Sequence, residues 1–319
     1  MTIALASCMR NEGIFVLEWL AYHLGLGFDR VIVVTNDCTD GSDDLLDALQ
    51  AEGLITHIRQ TVPAGTPAQD AGMDHVLRLC RDDGIGHVLH IDSDEFLYLN
   101  DSLNDLLART RDADCVPIPW RAFGDSGVAH WSPGDMVIER NTRAERAPVP
   151  GETKFKCLFK AASFARATDH NPLEPLVDAP RVMSPDGAEL YNHTLYHPKS
   201  ARFRPHHPAA RAKSAQIYHY AVRSADCFLM KNDRGDGQGK SDSKYHLGSH
   251  WYRAANRNDV TVTRLSSQAG AVLRRMTDWR MIPAIAKAEA TCHDWFTARR
   301  AALLTPERIE AWTVAGGAR

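Results

Sequence analysis

The first hundred residues alternate apolar runs with amphipathic segments. The runs at 2–7, 30–35, 55–59 and 87–92 are short and rich in Val, Ile, Leu and Ala, as expected of strands covered on both faces. Between them, 14–26, 43–53 and 68–82 carry apolar residues at helical spacing. Phe15, Leu17, Leu20 and Leu24 supply much of the first apolar face, while Asp40-Gly41-Ser42 and Gly53 bracket the second helix. Strand–helix alternation of this kind predicts an α/β fold, a doubly wound and mostly parallel sheet. Beyond about residue 109 the pattern loosens. Segments 116–120 and 154–160 read as strands between Gly- and Pro-rich loops. From 241 onward the chain turns helical, with Trp251, Tyr252, Leu265, Val272, Met276 and Trp279 as expected buried positions in a layer on the same core.

The run at 88–99, Val-Leu-His-Ile-Asp-Ser-Asp-Glu-Phe-Leu-Tyr-Leu, is an apolar strand that leads straight into Asp92 and Asp94. Carboxylates at the end of a buried strand must be solvated, paired or bound to a metal. They also sit where open α/β sheets place ligands, outside the carboxyl ends of the strands. Two readings stand: an Asp that caps the next element, or an i, i+2 pair on an extended segment converging on one hard cation.

Composition narrows the class. At 319 residues the chain can bury one large core or two intimate ones. A net charge of −3 gives no general reason to expect a nucleic-acid partner. No apolar run is long enough for a membrane span, and the N-terminus already reads as a strand rather than a signal peptide. Seven scattered cysteines without any Cys-x-x-Cys fit reduced thiols in a cytoplasm and no zinc ribbon. Charge is nonetheless uneven: 190–225 contains no acid but carries Lys199, Arg202, Arg204, Arg211, Lys213 and Arg223. That stretch is either a solvated basic loop or a surface for an anionic acceptor or an anionic membrane, giving peripheral contact.

Four further clusters carry polar residues in positions of interest. Arg10, Asn11 and Glu12 follow the first strand, and Asn36, Asp37 and Asp40 follow the second. Turn chemistry explains such loops, yet two adjacent strand ends also form the crevice in which nucleotides bind. Asp125 lies in a glycine-flanked loop after Trp120-Arg121-Ala122-Phe123. The fourth cluster runs from Tyr218-His219-Tyr220 to Lys231-Asn232-Asp233-Arg234, where the two cations form either a solvated helix face or a diphosphate clamp.

The order Arg10-Asn11-Glu12, Glu18-Trp19-Leu20-Ala21-Tyr22-His23, Asn36-Asp37-Cys38-Thr39-Asp40-Gly41, Ile91-Asp92-Ser93-Asp94-Glu95-Phe96-Leu97, Trp120-Arg121-Ala122-Phe123-Gly124, His219-Tyr220 and Lys231-Asn232-Asp233-Arg234-Gly235 closely resembles bacterial glycosyltransferases of the family 2 type. It also resembles the related family 92 galactosyltransferases. The likeness covers roughly residues 1–260. It implies a GT-A, Rossmann-like fold, with 1–110 as the nucleotide-sugar half, 111–240 as the acceptor-side half and 241–319 as a helical extension. It further implies a nucleotide-diphosphate sugar donor, a UDP-sugar foremost, and a glycan or other hydroxyl acceptor. Mn²⁺ or Mg²⁺ is expected on Asp92 and Asp94 with His219 completing the site. Arg10, Asn11, Glu12, Asn36, Asp37, Asp40, Asp92, Ser93, Lys231 and Arg234 are the expected donor contacts. Many relatives carry Asp where this chain has Thr35, a position that helps hold the base.

Glycosyl transfer needs a better leaving group and a more nucleophilic acceptor, hence a cation at the diphosphate and a base opposite it. The resemblance favours inversion. Asp125 is the first candidate for the base and Glu139 the second, while Glu95 is expected to orient the metal shell or donor sugar. A nucleotidyltransferase is the alternative enzyme, though 8–13 offers one Arg and one Gly where a triphosphate loop would want more. A non-catalytic nucleotide- or carbohydrate-binding module is the alternative outside enzymes.

Overall fold

A computed structural model describes residues 2–63, 65–196, 207–234 and 245–314. Strand β1 (Ile3–Met9) leads into helix α1 (Gly13–Leu24), followed by β2 (Arg30–Thr35), α2 (Ser42–Ala51), β3 (Thr56–Arg59), α3 (Ala68–Asp82) and β4 (His87–His90). β1 lies between β4 and β2, with β3 outside β2, and all these pairings are parallel. The fold is α/β, as the alternation predicts, with this parallel unit forming one end of its main sheet.

The apolar run at 88–99 holds a second strand beyond the one expected at 87–92. β4 ends at His90, residues 92–95 turn back with the Glu95 amide donating to the Asp92 carbonyl at 3.0 Å, and β5 (Glu95–Leu99) starts in a new direction. After α4 (Leu103–Arg109), β6 (Cys115–Ala122) and β7 (Phe155–Lys160) extend the sheet, and β7 is antiparallel to both β4 and β6. β8 (Ala215–His219) then lies between β5, antiparallel, and β6, parallel. Strands from both sides of residue 110 therefore share one sheet.

Successive β1 side chains serve opposite faces, as strand pleating requires. Ala4 and Ala6 join Ile32, Val34 and the α3 residues Met73, Val76 and Leu77. Ile3 and Leu5 join a larger core that holds α1, together with Val272, Met276 and Trp279 of α6 (Ala269–Arg280) and Ile285, Cys292 and Phe296 of α7 (Pro283–Leu303). α1 is consequently buried nearly all round, from Phe15 to His23, and the C-terminal helices are part of the main core. Within the described residues no helix is long and apolar enough to cross a membrane.

Candidate active site at the strand ends

The turn at 92–95 is held from below by α1. The Trp19 indole N–H donates to the carbonyls of Asp92 at 3.1 Å and Glu95 at 2.9 Å. The Tyr22 hydroxyl donates to the Leu97 carbonyl at 2.7 Å, and His23 Nε2 accepts from the Leu97 amide at 3.2 Å. Glu18 accepts from the amides of Val137 and Ile138, both at 2.9 Å. The Glu18–His23 motif thus acts as scaffold, fixing the backbone that carries the two aspartates.

The turn sends those aspartates to different partners. Asp92 accepts from Gln69 Nε2 at 2.9 Å and from the fully buried Lys156 Nζ at 3.1 Å. Lys156 also donates to the Asp169 carbonyl at 2.7 Å and faces Glu95 Oε2 at 3.7 Å. Glu95 Oε2 accepts from the Asp92 amide at 2.8 Å, whereas Oε1 has no partner among the described residues. Burial, joined by repulsion from Asp92 and Asp94, pushes the Glu95 carboxyl well above the usual carboxylate range despite Lys156.

Asp94 faces the other way. Its Oδ2 pairs with Lys231 Nζ at 2.7 Å and its Oδ1 lies 3.6 Å from His219 Nε2. Burial opposes ionisation, but Lys231 and then His219 hold the Asp94 carboxyl well below its ordinary value. Lys231 and Arg234 both lie on α5 (Ala225–Arg234), with Lys231 also donating to the Ala221 carbonyl at 2.6 Å. The Trp120 ring packs on His219, with centroids 4.1 Å apart.

Arg223 joins the two strand-end loops. It donates to Glu12 Oε2 at 2.8 Å and to the Ser93 carbonyl at 2.7 Å, and its guanidinium lies 3.6 Å from the centre of the Phe15 ring. Glu12 also pairs with Arg234. The backbone at Asn11, Asp37 and Arg223 has φ of 52°, 50° and 59°, left-handed values that non-glycine residues adopt at a cost and that gather at functional sites. Asn11 ties the two loops together, accepting from the Thr39 amide at 2.8 Å and donating to its hydroxyl at 3.1 Å.

The structure thus brings Asn11, Glu12, Ser93, Asp94, His219, Lys231 and Arg234 together, and adds Arg223, read from the sequence only as part of the basic stretch, with Lys156 and Gln69, which the sequence alone did not single out. Arg10 and Asp37 are exposed beside this group and Asn36 is half-buried. Asp40 is structural: one oxygen accepts from the Gly13 amide and the other from the Ser42 amide, both at 2.9 Å, which starts two helices at once.

The two candidate bases come out differently from expectation. Asp125 Oδ1 accepts from the Gly127 amide at 2.9 Å and Asn258 Nδ2 at 3.4 Å; Oδ2 accepts from the Tyr252 hydroxyl at 3.1 Å and Asn256 Nδ2 at 2.9 Å. All four acceptor directions of a carboxylate are engaged, so Asp125 pins its loop to the C-terminal segment. Glu139 is exposed on the short helix Val137–Arg140. Arg202 and Arg204 of the basic stretch lie outside the described residues, while Arg211 and Lys213 are exposed and the Lys213 amide donates to Asp186.

The donor set suits a divalent ion in part. Asp94 Oδ1 and His219 Nε2 form an adjacent oxygen and nitrogen pair, and ions such as Mg²⁺ are commonly held by one or two side chains with substrate phosphates and water. Among the described residues no three His, Cys, Asp or Glu side chains converge to hold a metal ion. Asp92, committed to Lys156 and Gln69, does not share the pair.

No protein-family model matches the chain. It is similar in sequence to glycosyltransferase family 92 proteins: 28% identical over 135 residues to one from Ricinus communis, covering 40% of this chain and 24% of that protein. A second, from Oryza sativa subsp. japonica, is 27% identical over 108 residues, covering 33% and 18%. The chain spans about a quarter or less of the length of these curated relatives. Among solved structures, residues 1–349 of S. aureus TarS are 12% identical with a TM-score of 0.39, covering 98% of this chain and 91% of that one. Glucosyl-3-phosphoglycerate synthase from Mycobacterium tuberculosis, solved with Mn²⁺ and UDP, is 15% identical with a TM-score of 0.32, covering 51% and 59%.

Proposed function

We propose that this chain is a glycosyltransferase of the GT-A type that moves a sugar from a nucleotide-diphosphate donor, a UDP-sugar foremost, to a hydroxyl of a glycan or other acceptor, with inversion. The observation that carries the reading is the cluster of Asp94, His219, Lys231, Glu12, Arg223 and Arg234 around the 92–95 turn. Cations aimed at one crevice outside parallel strand ends are what a diphosphate requires. The sequence similarity to family 92 glycosyltransferases supports the same class.

In this reading Lys231 and Arg234 exchange Asp94 and Glu12 for phosphate oxygens when the donor enters. Arg223 stays on Glu12 and the Ser93 carbonyl and keeps the turn in place. Asp94 and His219 would hold a Mn²⁺ or Mg²⁺ ion, which supplies Lewis-acid neutralisation of the departing diphosphate. Glu95 holds the Asp92 amide and so the turn, and neither Asp125 nor Glu139 serves as the base.

The test is metal-supported hydrolysis or transfer from a panel of UDP-sugars, followed as UDP release. Wild-type protein should turn over at least one of them. Asp94→Asn should lower the rate by about 100-fold or more, since disturbing even outer metal partners typically removes 10- to 100-fold. Equal rates for both proteins, or no release from any donor, would sink the reading.

A further inference from the structure

The cleft beside the Asp94 cluster has a wall supplied by a helix that the family resemblance leaves unassigned. An open cleft lies between the start of α1, α5 and α7. Ile14, Phe15 and Met230 give it an apolar side, while Arg223, Lys231 and Arg234 face it with charge. α7 contributes Trp295 and Phe296. Within that helix Cys292 and Phe296 do the packing, at 0% and 8% exposure, and the Phe296 ring meets Trp131 at 5.4 Å. Trp295 is only half-buried, packed against the core, and stacks on no aromatic ring among the described residues. The same helix removes an obstacle to an anion. Asp233, which also lines the cleft, is held by Arg299 of α7 at 2.6 and 2.8 Å. The cleft therefore joins a partly exposed indole, an apolar floor and three cations, with its nearby acids already paired.

We propose that Trp295 is a donor-contact residue: its indole is the surface on which the nucleobase stacks while Lys231 and Arg234 take the diphosphate. This rests on the nucleotide-sugar reading above and adds to it a side chain from outside the resembling region. Aromatic stacking is tolerant of base identity because every base has a π-face, so Trp295 contributes affinity and leaves the choice of base to the loops after β1 and β2.

Calorimetry on the full chain separates the contributions, with UDP, GDP, ADP, CDP, dTDP and inorganic pyrophosphate as probes. Trp295→Leu keeps apolar bulk and removes the π-face; Trp295→Phe keeps a smaller one. The nucleoside diphosphate that binds wild type most tightly should weaken about 10-fold in Trp295→Leu and only a few-fold in Trp295→Phe, with pyrophosphate affinity unchanged in both. Unchanged nucleotide affinity in Trp295→Leu would overturn the stacking role alone. So would equal losses for nucleotide and pyrophosphate, since a displaced helix would weaken both. A wild-type protein that binds no nucleoside diphosphate would instead overturn the donor reading, and the stacking role with it.

Discussion

At the scale of single residues, Arg223 has the most demanding position. Its side chain is buried to 2% exposure and its planar fork reaches Glu12 on one loop and the Ser93 carbonyl on another. Removing one partner of a buried ion pair typically costs about 3–5 kcal/mol when the other charge is left without compensation; here Arg234 still pairs with Glu12, which moderates the loss. Arg223→Ala should destabilise by about 2–3 kcal/mol in urea unfolding, and Arg223→Lys should recover only part, since one ammonium cannot reproduce the fork. A loss below about 1 kcal/mol for the alanine variant would show that the bridge is dispensable. His23 makes a pH prediction. Burial pushes its imidazole down to about 3, so it is neutral in the folded protein. The unfolded imidazole, near 6.5, binds a proton that the folded one refuses; its stability contribution is complete above about pH 6.5 and is lost as pH falls toward 3. Glu18, raised to about 7 by burial, works in the opposite direction, so a difference between variants is the informative measurement. His23→Gln, measured against wild type between pH 5 and 7, should remove a slope of about 1.3 kcal/mol per pH unit near pH 5 that fades toward pH 7, about 2 kcal/mol over the window. Parallel pH curves would contradict the neutral, buried imidazole.

Among the elements, α1 does more than its apolar stripe announces. A Cβ added at Gly13 would come within 2.4 Å of Cys292 Sγ and 2.7 Å of Cys292 Cβ, so the first turn of α1 and the middle of α7 approach at glycine distance. Gly13→Ala should destabilise by about 1–3 kcal/mol through overpacking. Cys292→Ala should relieve part of that loss in the double variant, whereas strictly additive losses would indicate that the two sites do not touch. Helix and strand positions up to residue 110 were legible because local periodicity reports burial, and β2 and α3 fall where the pattern puts them. The strand β5 after the aspartates was not, since Glu95–Leu99 follows the polar pair with no turn residue of its own to announce a new element. Lys156 escaped notice, and Arg223 was read only as part of the basic stretch, because nothing local marks either as a bridge. Their partners Asp92 and Glu12 lie 64 and 211 positions away. Asp40 and Asp125 looked functional because turn and cap chemistry uses the same residue types as ligand loops.

For the whole molecule, the sheet runs across residue 110, and the core and the candidate cleft run from the first helix to α7. β7, from beyond residue 110, inserts between β4 and β6, and the main core extends from β1 to α7. The cleft follows suit, with one side from the start of α1 and another from Trp295 and Phe296. Such long-range closure has a consequence for biosynthesis. At roughly 5–20 residues per second on the ribosome, the loop bearing Glu12 emerges tens of seconds before the helix that faces it. Through that interval the nascent polypeptide has no opposite wall for the cleft and leaves Phe15 and Gly13 without their α7 neighbours. A translation product that stalls short of α7 would carry every residue around the Asp94 turn and still lack the wall that closes the cleft.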